Sequence, residues 1–225
     1  ILDIKNRELC EKISKISEGF LINTKTQEFK AKTVLVTAGS KRRKLEIPGA
    51  EQFDNKGLTY CATCDGPLFD GKDVIVIGGG NAAFETAGQL LAYCKSVTLL
   101  NRSEKLRADE VTVKKVLSNP KMKAIMNAIP IEVKGDKFVS GFIYQDAKTK
   151  EKIKLKKDGI FVEIGLLPNT IFAKDIVKLT SYGQIIVDSK NQRASTLGIL
   201  AAGDCTDGLY HQNNIASGDA IKALE

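Results

Sequence analysis

Asp73-Val74-Ile75-Val76-Ile77-Gly78-Gly79-Gly80-Asn81-Ala82-Ala83 is the stretch that decides the fold. A short apolar run without alternation suits a strand buried on both faces of a parallel sheet. It ends in Gly78-x-Gly80-x-x-Ala83, of the form G-x-G-x-x-A. The first glycine allows a tight turn, the second lets backbone approach a pyrophosphate, and the small third position lets helix and strand pack closely. Residues 81–93 follow with helical spacing, placing Ala83, Ala87, Leu90 and Leu91 on one side, and Ser96-Val97-Thr98-Leu99-Leu100 reads as the next strand. Strand, turn, helix and strand in that order make a βαβ unit. The start of its helix offers free N–H groups and partial positive charge to phosphates. Gly78, Gly80, Asn81 and Ala83 are therefore candidate dinucleotide-binding residues. The competing reading, a purely structural turn, does not call for that whole context.

The end of the second strand bears on which dinucleotide. An acidic residue there would receive the ribose 2′-hydroxyl of NAD. Asn101 stands instead, and Arg102, Lys105 and Arg107 bracket the place of a 2′-phosphate. Arginine offers a planar fork suited to phosphate, so Arg102 and Arg107 are candidate contacts for NADPH. The alternative is a solvated basic turn, and Glu104 sits among these residues.

Just upstream lies Cys61-Ala62-Thr63-Cys64-Asp65-Gly66. A C-x-x-C pair serves zinc, redox chemistry or neither. Structural zinc normally takes four ligands; there is no second C-x-x-C and His211 is the single histidine, so no metal site is expected. Thiol–disulfide exchange needs an attacking thiolate and a nearby partner to resolve the mixed disulfide, and two intervening residues supply that proximity. Asp65 adds a carboxyl to shuttle the proton or to cap the turn at Gly66. A reduced nicotinamide delivers hydride, whereas a disulfide takes electrons and separate protons. A flavin commonly mediates between them, so FAD or FMN is expected.

The rest of the chain bounds these readings. Its 225 residues, 43% hydrophobic, allow one large domain or two small ones with ample core. No apolar run spans a membrane and no leader opens the chain. The chain starts at Ile1 and stops at Glu225 within an expected helix, so it reads as a fragment. The net charge is +7, concentrated in residues 41–44 and 148–157. Without aromatic interleaving or a nucleic-acid motif, these basic tracts read as solvated loop and hairpin surface. Cys10, Cys94 and Cys205 read as buried, unreactive thiols.

Short strands and a hairpin are expected over residues 1–31, and a buried strand over 33–39 ending in Gly39. Leu45-Glu46-Ile47-Pro48-Gly49 reads as a linker. A helix is expected at 109–117, hairpins at 131–155, and strands at 159–165, 184–187 and 197–202. Gly203-Asp204 closes the last of these, and a final helix starts near Asn213.

At this point the chain resembles the low-molecular-weight thioredoxin reductases, a branch of the pyridine-nucleotide disulfide oxidoreductases. The resemblance rests on Thr37-Ala38-Gly39, residues 45–49, Tyr60-Cys61-Ala62-Thr63-Cys64-Asp65-Gly66, residues 76–83, residues 102–108, Gly165-Leu166-Leu167-Pro168-Asn169-Thr170 and Ala201-Ala202-Gly203-Asp204, in the family's order. It implies an α/β fold of two Rossmann-like, three-layer nucleotide-binding domains. The NADP domain, residues 48–165, would carry the C-x-x-C and be inserted into an FAD domain made of 1–47 and 166–225. It implies that Cys64 lies next to the flavin, that Cys61 exchanges with the partner's disulfide, and that Asp65 is the acid–base residue. Gly39, Gly165, Gly203, Asp204, Gln212 and Asn213 would belong to the cofactor sites.

The family's opening glycine motif for FAD is absent from this sequence, and its His-Arg-Arg reads Asn101-Arg102-Ser103 here. The implied activity passes electrons from NADPH through FAD and the Cys61–Cys64 disulfide to thioredoxin or a thioredoxin-like protein. The implied setting is a cytoplasmic homodimer without nucleic-acid or membrane partners. Domain rotation about linkers near Pro48 and Gly165 would let the dithiol and the nucleotide alternate at the flavin. The alternatives are an NADH-dependent or peroxiredoxin-system flavoprotein, a non-enzymatic redox module, and an inactive fragment.

Overall fold

The structure is a computed structural model and describes residues 3–225; Ile1 and Leu2 of the expected opening strands lie outside the described residues. The chain divides into two compact units. One contains the described residues up to Lys41 together with Leu166–Glu225, and the other is Arg42–Gly165.

The first passage through the outer unit is β1 (Cys10–Ile16), β2 (Gly19–Thr24), β3 (Glu28–Ala31), β4 (Val34–Val36) and β5 (Ser40–Arg42). The strands β1, β2 and β3 form an antiparallel meander. Gly19 turns the chain at φ +110, where a side chain would meet the Ala31 carbonyl.

The inner unit then runs β6 (Leu58–Thr59), α1 (Ala62–Asp65), β7 (Asp73–Ile77), α2 (Asn81–Leu90), β8 (Ser96–Leu100), α3 (Glu110–Leu117), β9 (Met122–Ile125), β10 (Ala128–Gly135), β11 (Val139–Asp146), β12 (Lys152–Lys156) and β13 (Gly159–Val162). Five strands in the order β6-β13-β7-β8-β9 make its parallel sheet. The continuous apolar reading of 73–77 follows from burial on both faces. Val74 and Val76 pack toward α2 with Phe84, Ala87 and Leu90. Ile75 and Ile77 pack on the other face with Val133, Phe142 and Tyr144 of the antiparallel sheet β10-β11-β12. Helices, parallel sheet and antiparallel sheet are thus the layers of this unit.

Leu45 and Ile47, expected in a linker of the outer domain, pack in the inner unit's core. The Pro48 carbonyl accepts from Val133 N at 3.0 Å. The helix expected over 81–93 stops at Leu90 because the following turn is drawn to the sheet's start: Gly71 N donates to Tyr93 O and Lys95 N to Lys72 O. The strand β10 runs through Pro130, with a register shift between Pro130 and Glu132. A bulge is where a strand tolerates a residue without an N–H.

The chain returns through β14 (Leu166–Pro168), which pairs with β5, and then β15 (Val187–Asp188), β16 (Arg193–Ala194), β17 (Ile199–Ala201) and α4 (Asn213–Leu224). The outer unit's second sheet has the order β15-β16-β17-β4, with β17 and β4 parallel. Its core gathers Ile13, Phe20, Val36, Ile185, Ile199 and Cys205. The strand expected at 184–187 begins only at Val187; Ile185 makes isolated bridges to Leu179 and Thr206. Cys94 and Cys205 are buried, whereas Cys10 is only half-buried. No helix among the described residues is long and apolar enough to cross a membrane.

Candidate active site

Cys61 and Cys64 are joined as a disulfide, with Cα atoms 5.3 Å apart. The segment that carries them forms one helical turn, α1. Cys61 caps it: its Sγ accepts the Cys64 N–H at 3.1 Å. Cys61 is half-buried and Cys64 exposed. Two side-chain bonds tie the turn to its surroundings. Thr63 Oγ1 donates to Gln89 Oε1 of α2 at 3.1 Å, and Asp65 accepts through Oδ2 from the Thr59 hydroxyl of β6. Tyr60, beside Cys61, accepts Leu45 N–H on its hydroxyl at 3.2 Å and lies under the Lys44 ammonium.

The glycine turn sits where β7 feeds α2. Gly78 has φ +148, and a side chain there would meet the Glu163 carbonyl at 2.2 Å and Ala83 Cβ at 3.0 Å. Gly80 differs: a Cβ there would meet nothing within 4 Å. It is the N-cap of α2, with no side-chain cap bond and no acidic residue in the first turn. The space beside Gly80 at this helix start without a side-chain cap is open, which fits a pyrophosphate. Asn81 uses its side chain structurally, accepting Asp109 N–H on Oδ1 at 2.8 Å.

Asn101, which stands out in the sequence only for its lack of charge, organises the loop after β8. It is buried, its Nδ2 donates to Ser103 O at 2.8 Å and Lys105 O at 3.0 Å, and its Oδ1 leaves room at position 79 only for glycine. Arg107 N donates to Gly79 O at 2.8 Å, so the loop is clamped onto the turn. Arg102 is exposed on it and Arg107 lies beside the turn. Glu104 is engaged by Lys148 at 2.7 Å, and that ammonium holds its carboxyl below the usual range.

Glu163 is a site residue that sequence reasoning missed. It follows β13, with its carbonyl against Gly78, and its carboxylate meets Arg42 at 3.0 Å and the Thr86 hydroxyl at 3.0 Å. Burial pushes this carboxyl above the ordinary carboxylate range despite Arg42 and Thr86. A raised folded-state value gives stability that is complete below the ordinary pKa and lost as pH rises through the folded one. Glu163→Gln is therefore expected to gain stability relative to the wild type as pH rises from about 4 to about 7. Denaturant melts at both pH values check it; an unchanged difference contradicts the assignment.

In the outer unit, Gly39 (φ +61) follows β4, and Gly203 (φ +75) lies against Ala216 of α4. Asp204 accepts from Ser40 Oγ at 3.3 Å through Oδ2. Gln212 caps α4 without a side-chain bond, Asn213 opens it, and no acidic residue occupies its first turn. A carboxylate after a strand and an uncapped helix start fit the sugar-like hydroxyls and polar edge of a flavin nucleotide. Gly165 (φ +99) ends the inner unit, its carbonyl accepting Arg43 N at 3.0 Å. Among the described residues no cluster of three or more His, Cys, Asp or Glu could hold a metal.

Known proteins are similar to this chain. The pyridine nucleotide-disulphide oxidoreductase family matches residues 3–220. An NADH dehydrogenase of Bacillus subtilis is 40% identical over 222 residues, 99% of this chain and 43% of that protein. A component of the alkyl hydroperoxide reductase of Pseudomonas putida is 42% identical over 226 residues, 99% of this chain and 43% of that protein. The chain thus spans under half the length of these relatives. The Lactococcus lactis thioredoxin reductase superposes with a TM-score of 0.80 at 35% identity, covering 96% of this chain and 71% of that one. The T. acidophilum thioredoxin reductase gives 0.79 at 39% identity with the same coverage. A family match along nearly the whole chain, over an α/β frame with a glycine turn and a C-x-x-C disulfide, places this protein among the pyridine nucleotide-disulphide oxidoreductases.

Proposed function

We propose that this chain is the working core of a reductase that takes electrons from NADPH and delivers them to the disulfide of a thioredoxin-like protein. The observation that carries the reading is the Cys61–Cys64 disulfide set on the same unit as an open glycine turn. The likeness to two thioredoxin reductases supports it. The proposed division of labour gives residues 48–165 the nicotinamide nucleotide and the thiol pair. It gives FAD to the outer unit, the residues up to Lys41 together with 166–225, in a cytoplasmic homodimer.

Gly78, Gly80, Asn81 and Ala83 would hold the nucleotide's pyrophosphate, with Arg102 and Arg107 toward a 2′-phosphate. Gly39, Gly203, Asp204, Gln212 and Asn213 would hold FAD, and Gly165 would be a cofactor-site residue of the inner unit. FAD, when bound, supplies the two-electron chemistry that links a hydride donor to a disulfide acceptor.

The thiol pair itself performs the exchange. Once reduced, Cys61 is favoured as the thiolate, because the Cys64 N–H points at its sulfur. Cys61 attacks one sulfur of the partner disulfide, forming a mixed disulfide and expelling the other as a thiolate. Asp65 takes the proton from Cys64 and passes it to that leaving thiolate. Cys64 then attacks Cys61 Sγ, the Cys61–Cys64 bond forms, and the second partner sulfur leaves and is protonated from solvent. Two electrons and two protons pass to the partner.

A second reading has NADH as donor and a peroxiredoxin-system protein as acceptor. The names of the B. subtilis and P. putida relatives favour it. One experiment separates the two. FAD-loaded enzyme is assayed with NADPH and with NADH against oxidised thioredoxin, for the wild type and Arg102→Ala/Arg107→Ala. The first reading expects the double variant to raise KM for NADPH by about ten- to a hundred-fold and leave KM for NADH within about two-fold, as the loss of charge-assisted phosphate contacts implies. Equal effects on both nucleotides, or a wild-type preference for NADH, favour the second.

A further inference from the structure

Thr59 is buried, 5% exposed, and ends the two-residue strand β6 at the edge of the parallel sheet. A buried hydroxyl needs hydrogen-bond partners, and a strand-end threonine ordinarily finds them in nearby backbone of its own sheet. Thr59 finds them in the redox loop. Its Oγ1 accepts the Cys61 N–H at 3.3 Å and donates its single proton to Asp65 Oδ2. The hydroxyl is thereby committed at both ends: the first cysteine's backbone fixes the oxygen, and the oxygen fixes the carboxylate. Asp65 Oδ1 meets no protein donor among the described residues. We infer that Thr59 is a positioning residue of the thiol–disulfide site, holding Asp65 by one oxygen so that the other exchanges protons with the Cys61–Cys64 pair.

The inference rests on the proposed role of Asp65 and deepens it. A carboxylate on a one-carbon stem rotates freely unless one oxygen is fixed, and proton transfer requires hydrogen-bond reach in a productive orientation. Fixing it to the same residue that fixes Cys61 makes the acid–base group and the attacking sulfur move together. The Thr63–Gln89 bond ties the same turn to α2 as well.

The test needs neither flavin nor nicotinamide, so its failure is separable from failure of the electron relay. The oxidised full chain is mixed with dithiothreitol, quenched with acid at intervals and alkylated, and opening of Cys61–Cys64 is followed by mass. Wild type, Thr59→Val, Thr59→Ser, Asp65→Asn and Thr59→Val/Asp65→Asn are compared. Thr59→Val is expected to slow opening about ten-fold, a part of what correctly placed proton transfer contributes. Thr59→Ser is expected to restore it to within about two-fold. In the Asp65→Asn background Thr59→Val should cost less than about two-fold, because residues acting through one another are non-additive.

The inference is overturned if Thr59→Val opens at the wild-type rate. It is also overturned if the valine slows Asp65→Asn by the full factor, which would make Thr59 merely structural. Native protection of Cys94 and Cys205 from alkylation verifies folding. If valine fails that check, Thr59→Ala read through the same cycle decides by the same criteria.

Discussion

Serine at position 61 or 64 is expected to cut reduction of a protein disulfide by at least about a thousand-fold, the scale seen when an enzyme's nucleophile is removed. The reason is that a hydroxyl neither forms nor resolves a mixed disulfide. The two variants should fail differently. Cys64→Ser keeps the sulfur that accepts the backbone N–H of position 64, so Cys61 still attacks, and the partner is trapped as a mixed disulfide. Cys61→Ser leaves only the exposed Cys64 sulfur, outside that hydrogen bond, and should trap little. Non-reducing electrophoresis of each variant with excess oxidised thioredoxin shows the band; turnover with NADPH gives the rate. Wild-type turnover in both variants would remove the thiol relay from the proposal, and trapping through Cys64 alone would reverse the assigned roles.

The second large effect separates two glycines of one turn. Gly80→Val is expected to leave stability within about 1 kcal/mol, because a Cβ at position 80 meets nothing within 4 Å. On the proposed reading, its branches would crowd the start of α2, where a pyrophosphate would approach. KM for the nucleotide should rise by about a hundred-fold or more, given the several charge-assisted bonds lost together. Gly78→Ala inverts the pattern. Its Cβ would lie 2.2 Å from the Glu163 carbonyl, at φ +148. Strained backbone and overpacking together cost about 3 kcal/mol or more, enough to unfold a marginally stable unit. Denaturant melts and nucleotide titrations on both variants are the measurements. A destabilised Gly80→Val with normal affinity would refute the reading of position 80 as the open one.

The βαβ heart and the C-x-x-C were legible because their signals are local. Residues 73–83 fold within one turn of themselves, and the thiols are three positions apart. What stayed hidden depends on contacts between distant segments. Thr59 carries no chemical signal in the sequence until α1 folds back and brings Asp65 to its hydroxyl. Glu163 looks like a polar interruption of an apolar strand, and only the fold places Arg42 and Thr86 around it. The strand β10 was obscured by Pro130, whose missing N–H argues against a strand unless a bulge absorbs it. The strand β9 was obscured by Lys123, since an edge strand needs only one buried face. Leu45 and Ile47 looked like part of a punctuated linker, but two apolar side chains beside Pro-Gly are also an anchor, and here they are buried or half-buried.

The splint formed by Asn101 has a consequence for anyone retuning nucleotide preference. In many dinucleotide folds the residue closing this strand is the natural dial, since changing its charge alters which ribose is accepted. Here that dial is soldered in place. The same amide spans Ser103 and Lys105 with its nitrogen and abuts Gly79 with its oxygen. An engineer who swaps it for an acid to favour NADH would slacken the whole clasp before gaining any selectivity. On the proposed reading, the positions left to adjust are the exposed Arg102 and Arg107.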